Sequence, residues 1–218
     1  MQTFVEISRR QMIDQQVRAW EVLDDRVLEV LERVSRDRYV PESFRDVAFA
    51  DTSIPLGHGQ YMLPPKVDGR ILQALSIERG DAVLDVGTGS GFLAACLAAL
   101  GGAVRSIEIF ADLADGARRT VRSEGVGPVT VEVADAARLD EQDRYDAIAV
   151  TASLPVYDRR FERALKVGGR LFVVTGQRPV MEARLVTRVD QDQWTSEALF
   201  ETVIEPMLNA DRPPEFRF

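Results

Sequence analysis

Between residues 82 and 175 the apolar positions concentrate in short segments separated by longer amphipathic stretches. The segments cover residues 82–86, 104–109, 129–133, 145–151 and 170–175. Segments of this length, rich in Val, Ile and Ala, predict strands buried on both faces. The stretches between them, including 112–123 and 158–165, carry helical spacing. Alternating strands and helices predict an α/β fold, a mostly parallel sheet with helices on both faces. After Gly176 the pattern changes. Residues 183–189 and 196–206 read as two strands joined by a polar turn at 190–193, which predicts an antiparallel C-terminal end. Upstream, residues 7–33 read as helical with a break near 20–24. Asp24 or Asp25 is placed to cap the second helix, whose apolar face is Val27, Leu28, Leu31 and Val34. Residues 54–65 hold two glycines and three prolines, which predicts a loop without regular structure. A helix over 66–75 then leads to the first strand, and Gly168-Gly169 reads as a turn before the fifth. The expected division is a helical elaboration and active-site loop over 1–78, a core over 79–210 and a tail over 211–218.

The first strand of the core runs into Val83-Leu84-Asp85-Val86-Gly87-Thr88-Gly89-Ser90-Gly91. A strand, a glycine turn and a helix starting at Phe92 bring backbone N–H groups up to the polar end of a ligand. Glycines let the backbone approach without Cβ atoms in the way. A dinucleotide fingerprint needs Gly-x-Gly-x-x-Gly, and Phe92 stands where its last glycine belongs. A Walker loop needs Gly-Lys-Ser/Thr, and this stretch has no lysine. The pattern resembles the S-adenosylmethionine-binding turn of Rossmann-like methyltransferases. That resemblance implies S-adenosyl-L-methionine as cofactor and S-adenosyl-L-homocysteine as product, held by Gly87, Thr88, Gly89, Ser90 and Gly91.

Three acids follow three strand ends, where open α/β sheets bind ligands. Glu108 can accept hydrogen bonds from both ribose hydroxyls. Asp135 can accept the adenine amino group, with the Ala136 N–H facing a ring nitrogen and Ile109 against the ring face. Asp85 can take the ammonium group of the methionine part, directly or through water. A nicotinamide site also wants an acid after the second strand, but the glycine spacing and Asp135 argue against one.

Composition narrows the partners. Apolar residues make up 45% of 218, enough for a core, and the formal net charge of −8 argues against a nucleic-acid partner. Cys96, the single cysteine, excludes an internal disulfide and a cysteine-based metal cluster. No set of histidines and carboxylates has metal-ligand spacing, so no metal is expected. Residues 1–10 lack the apolar stretch of a signal peptide, and no run is long enough to span a membrane. A cytoplasmic protein without a membrane partner is expected. Cys96, Trp20 and Trp194 read as packing residues. Arg118, Arg119 and Arg122 read as a solvated helix face.

Beyond the glycine turn, residues 12–176 resemble the protein-L-isoaspartate O-methyltransferase family. Val27-Leu28-Glu29 and Tyr39-Val40-Pro41 match its N-terminal elements. Ala48-Phe49-Ala50-Asp51 and Ile54-Pro55-Leu56-Gly57-His58-Gly59-Gln60 follow its hallmark loop, and Leu165-Lys166-Val167-Gly168-Gly169-Arg170-Leu171 its later segment. The resemblance implies methyl esterification of isoaspartyl carboxylates in peptides or damaged proteins. A carboxylate is already ionised near neutral pH, so this chemistry needs positioning and exclusion of water rather than a general base.

The departure follows Gln60. The family usually continues Thr-Ile-Ser, its Ser hydroxyl close to the reacting carboxylate. Here Tyr61-Met62-Leu63 stands instead, and an alkyl group replaces the donor. Asp135-Ala136 likewise stands where the family usually has Asp-Gly. The acceptor-side candidates are His58, Gln60, Tyr61 and Leu63. His58, the only histidine, is either a base for a hydroxyl or amine acceptor or a variable loop residue. Gln60 reads as ordering the loop or touching the cofactor. Two alternatives fit the same residues: a methyltransferase of this fold with another, small-molecule acceptor, and a cofactor-binding protein without catalysis. The oligomeric state is not legible.

Overall fold

The computed structural model describes residues 3–213. Its helices are α1 (Phe4–Met12), α2 (Asp25–Arg33), α3 (Pro65–Leu75), α4 (Phe92–Leu100), α5 (Ala111–Glu124) and the single turn α6 (Arg160–Arg163). Its strands are β1 (Ile54–Gly57), β2 (Gln60–Met62), β3 (Ala82–Val86), β4 (Ala103–Glu108) and β5 (Val129–Val133), then β6 (Tyr145–Leu154), β7 (Leu165–Gln177), β8 (Val180–Asp190) and β9 (Gln193–Thr202). Seven strands form one sheet in the order β5-β4-β3-β6-β7-β8-β9. The five strands β5 to β7 are parallel, and β8 and β9 add an antiparallel end. Chain order reverses direction at β3, where β4 lies on one side and β6 on the other. Ligands bind at such a switch point, beyond the carboxyl ends of the strands.

Alternation along the strands divides the core. Val83, Ala147, Ala149, Phe172 and Val174 face one apolar cluster, which also holds the buried faces of α2, α3 and α4. Leu84, Val86, Ile148, Val150, Leu171 and Val173 face the other, with Phe161 of α6. Successive side chains of a strand point to opposite faces, so central strands buried on both sides must be apolar throughout. At the N-terminus, Thr3 caps α1 in a capping box with Glu6, and Asp24 caps α2 by accepting the Arg26 N–H. The break between them is a π turn at Ile13–Val17, a 3-10 turn at Arg18–Trp20 and a left-handed Glu21.

Four expectations are corrected. Residues 54–65 are not a featureless loop, because β1 and β2 form a hairpin with Ile54 paired to Met62. Gly57, His58 and Gly59 all have positive φ and make its turn, and Pro55 is tolerated in a two-stranded ladder with open edges. Gly168-Gly169 is no turn before a strand but a bulge inside β7. The pairing passes from Tyr145↔Leu165 to Ala147↔Arg170, and Gly168 takes up the extra residues at φ 85. The helix expected over 158–165 is one turn long. Asp158 sits before it and accepts the Arg160 N–H, and Leu165 already begins β7. The last strand ends at Thr202, after which the chain leaves the sheet and Pro206 bridges to Ser153. Of the expected tail, residues 211–213 have no regular structure and 214–218 lie outside the described residues. Among the described residues, no helix is long and apolar enough to cross a membrane.

Candidate active site

The glycine turn sits at the switch point. Gly87, Gly89 and Gly91 all have positive φ. Close approach constrains all three, Gly91 against Val121 and Ala117 of α5. A Cβ on Gly87 would lie 2.7 Å from Thr151 Oγ1, and one on Gly89 3.0 Å from Leu56 Cδ1 on the hairpin. The turn is thus clasped between the end of β6 and the β1–β2 hairpin, and side chains are excluded from both sides. Thr151 reinforces this by donating to the carbonyls of Val86 at 2.9 Å and Gly87 at 3.1 Å.

Beyond the strand ends lies a cleft of about 630 Å³, its open mouth included. Gly87, Gly89, Glu108, Ile109, Asp135 and Ala136 line it, with Gln60 and Tyr61 from the hairpin. Glu108 uses both oxygens on the turn around it, accepting from the Gly89 N–H at 2.9 Å and the Phe110 N–H at 3.1 Å. A carboxylate has about four acceptor sites, so each oxygen keeps one for a hydroxyl. Asp135 caps the short helix Ala136–Arg138 through the Ala137 N–H at 2.9 Å and accepts from the Asn209 amide at 3.0 Å. Carboxylates at the ends of two adjacent strands, an apolar wall and a side-chain-free turn fit a nucleoside carrying a charged tail. Those donors and acceptors therefore suit S-adenosylmethionine.

Asp85 is placed differently from the expectation. It is wholly buried, does not line the cleft, and accepts from Ser106 Oγ at 2.6 Å, which in turn meets Thr88 Oγ1 at 2.6 Å. Its other oxygen, Oδ1, has no partner among the described residues. In this geometry Asp85 meets the neighbouring strand rather than the cleft. Of the turn, Gly87 and Gly89 line the cleft, and Thr88, Ser90 and Gly91 do not. Burial pushes the Asp85 carboxyl up to about 7, against the opposing hydrogen bond from Ser106. Between pH 4 and 7 the folded protein therefore holds a proton here that the unfolded chain has released. Stability falls as pH rises through this window. Asp85→Asn is expected to flatten that fall, worth on the order of 4 kcal/mol at most. Urea midpoints of both proteins at pH 4.5 and 7.5 check it, and parallel slopes would refute it.

The hairpin is fastened at both ends. At its tip His58 stacks on Phe110, ring centroids 4.1 Å apart, and its Nε2 lies 2.9 Å from Asp112 at the start of α5. His58 lines neither the cleft nor the hollow beside it, and its contacts fasten the hairpin tip to the start of α5. At the other end, wholly buried Arg36 donates to Asp68 Oδ2 at 2.6 Å, to the Ala48 carbonyl at 2.9 Å and to the Leu63 carbonyl at 2.5 Å. One guanidinium thereby ties the segment before the hairpin, the hairpin exit and α3 together. Leu63 lines an adjoining hollow of about 720 Å³, its open mouth included, which shares Gln60, Tyr61 and Thr151 with the cleft.

Several lining residues were not foreseen. Phe110 follows the expected Ile109, and Thr151 stands at the end of an expected strand. Pro206, Met207 and Leu208 do not. They reach the cleft because Ser153 exchanges backbone hydrogen bonds of 2.8 Å with Glu205 and Met207. That pairing joins residues about fifty apart, and no local pattern announces it.

Comparison with known proteins agrees with this architecture. The family model described as protein-L-isoaspartate(D-aspartate) O-methyltransferase matches residues 7–209. A protein-L-isoaspartate O-methyltransferase 1 of Rhodopseudomonas palustris (strain HaA2) is 34% identical over 224 residues, covering 96% of this chain and 91% of that protein. One from Syntrophus aciditrophicus is 37% identical over 185 residues, covering 84% and 85%. Among solved structures, a Plasmodium falciparum protein-L-isoaspartate O-methyltransferase in complex with S-adenosyl-L-homocysteine superposes with a TM-score of 0.79 at 18% identity, covering 94% of this chain and 99% of that one. At that identity the match speaks for the fold. The family model and the sequence relatives span nearly the whole chain, and the chain belongs to the protein-L-isoaspartate(D-aspartate) O-methyltransferase family.

Proposed function

We propose that the protein is an S-adenosylmethionine-dependent methyltransferase that esterifies the free carboxylate of L-isoaspartyl residues in peptides or damaged proteins. One observation carries the reading. The cofactor-type cleft and the hollow beside it meet at Gln60, Tyr61 and Thr151, so a bound cofactor and an acceptor share one wall. When bound, S-adenosylmethionine supplies an electrophilic methyl group, which passes to a carboxylate oxygen while the C–S electron pair stays on sulfur and no proton moves.

The chain's own part is to hold and to dry the site. Glu108 and Asp135 fix the nucleoside end, and the cofactor-binding role also falls to Gly87, Gly89, Ile109, Ala136 and Gln60. The hairpin, clasped by His58 and Arg36, closes over the glycine turn and keeps water from the reacting atoms. A carboxylate already ionised near neutral pH accepts the methyl group without a general base.

Leu63 modifies this reading. An alkyl side chain lines the acceptor hollow where the family usually offers a hydroxyl. A hydrogen bond to a charged group contributes about 1.5–3 kcal/mol. Leu63→Ser is therefore expected to raise isoaspartyl methylation about tenfold or more. The initial rate of base-labile ester formation reads this out. An unchanged rate in a folded variant refutes the missing hydroxyl as the limit, and no ester from either protein refutes the acceptor. Leu63 also favours a second reading, in which the same cleft serves another acceptor, including a small molecule.

A further inference from the structure

Arg178 stands out in the acceptor hollow. Ser53, Gln60, Tyr61, Leu63 and Thr151 supply most of its wall, and among the described residues Arg178 is the one cation that lines it. It sits at the turn between β7 and β8, just past the end of β7. Its NH2 donates to Glu205 Oε1 at 2.8 Å, the only hydrogen bond of its guanidinium among the described residues. The remaining donors of the planar fork are unused, and a fork of this shape matches a carboxylate with two parallel hydrogen bonds. Glu205 is firmly placed, because its carbonyl accepts the Ser153 N–H at 2.8 Å. Arg178 and Glu205 also line a second hollow that includes Arg212, so the pair stands where two hollows meet.

An ion pair this exposed does little for stability. The Arg178 side chain is 61% exposed and that of Glu205 35%, and such pairs contribute at most about 1 kcal/mol. It does set the chemistry of a hollow otherwise lined by neutral groups. An anion entering it gains the unused donors of Arg178 and meets one competitor, the Glu205 carboxylate.

We propose that Arg178 is the specificity residue of the acceptor hollow. It captures the acceptor's carboxylate through its unused guanidinium donors and supplies the charge-assisted contact that Leu63 does not make. Glu205 holds the guanidinium in place and competes for it. This rests on the carboxylate-acceptor reading above.

The two partners are expected to act in opposite directions. The full-length protein saturated with S-adenosylhomocysteine is titrated with a fluorescent isoaspartyl peptide, its normal aspartyl twin and a neutral twin carrying the amide. Arg178→Met is expected to weaken isoaspartyl binding about tenfold or more, the scale of one lost charge-assisted hydrogen bond. It should leave cofactor-product affinity unchanged and abolish the preference over the amide. Arg178→Lys keeps part of the affinity. Glu205→Gln keeps it or raises it, because the competing anion is gone. Equal weakening by Arg178→Met and Glu205→Gln marks a merely structural pair and overturns the inference. So does an unchanged affinity in Arg178→Met, or a wild type that binds none of the peptides. Equal, Arg178-dependent binding of both acidic twins instead supports the inference while removing the isoaspartyl reading.

Discussion

Replacing Glu108 with alanine is expected to weaken S-adenosylhomocysteine binding about a hundredfold or more. The figure follows from two hydrogen bonds to one charged group, each contributing about 1.5–3 kcal/mol. Glu108 lies at the end of β4 inside the cleft and keeps an acceptor site on each oxygen after meeting Gly89 and Phe110. Its removal has a second effect, because the Gly89 N–H loses the group that holds the glycine turn to β4. Glu108→Gln keeps one carbonyl oxygen and loses the charge, so an intermediate loss of about tenfold is expected. Calorimetric titration of the three proteins gives the comparison, with urea midpoints as the control for folding. An unchanged affinity in a folded Glu108→Ala protein would remove the ribose assignment and with it the orientation of the cofactor.

The largest stability effect is expected at Arg36. The side chain is wholly buried, and Arg36→Met leaves Asp68 charged and buried with no partner. Breaking a buried pair in this way costs about 3–5 kcal/mol, a large part of a typical folding free energy. Burial pushes the Asp68 carboxyl above the usual carboxylate range, more than the Arg36 guanidinium pulls it down. Without Arg36 it rises further, and part of the cost is avoided by taking up a proton. The loss at pH 5 should therefore be smaller than at pH 8. The double variant Arg36→Met with Asp68→Leu removes both charges, and replacing a buried pair by apolar side chains is often neutral. It is expected to recover most of the loss, though the Ala48 and Leu63 carbonyls still lack their donor. Urea unfolding of the two single variants and the double variant gives the coupling. Additive losses would show that the two side chains are independent and that the clamp on the hairpin lies elsewhere.

How far the sequence could be read depended on the range of the interactions involved. Residues 82–86 and 129–133 were expected as strands and are β3 and β5: β3 lies inside the sheet and is nearly all apolar, and β5, at its edge, alternates Val with Thr and Glu as a half-exposed strand does. Asp24 was a named cap candidate because capping involves only the next two residues. Glu108, Ile109, Asp135 and Ala136 were placed at strand ends by counting along the chain, and the structure gathers them in one cleft. The hairpin at 54–62 was missed because glycine and proline were read as breakers, whereas here three left-handed residues in succession make the turn that joins two short strands. Asp85 was read as facing the ligand because nothing in its neighbourhood reveals that Ser106, on the adjacent strand, claims it. The buried Arg36–Asp68 pair joins positions 32 apart, and the Ser153 contacts with the segment after β9 span a longer stretch still. Those pairings exist only once the sheet and the helices have packed.

The most direct test uses methyl-labelled S-adenosylmethionine and two peptides that differ only in one linkage, isoaspartyl in one and normal aspartyl in the other. Base-labile methyl ester is counted in each after incubation with the wild-type protein. The account predicts label in the isoaspartyl peptide and none above background in its twin. Label in both equally, or in neither, would contradict it.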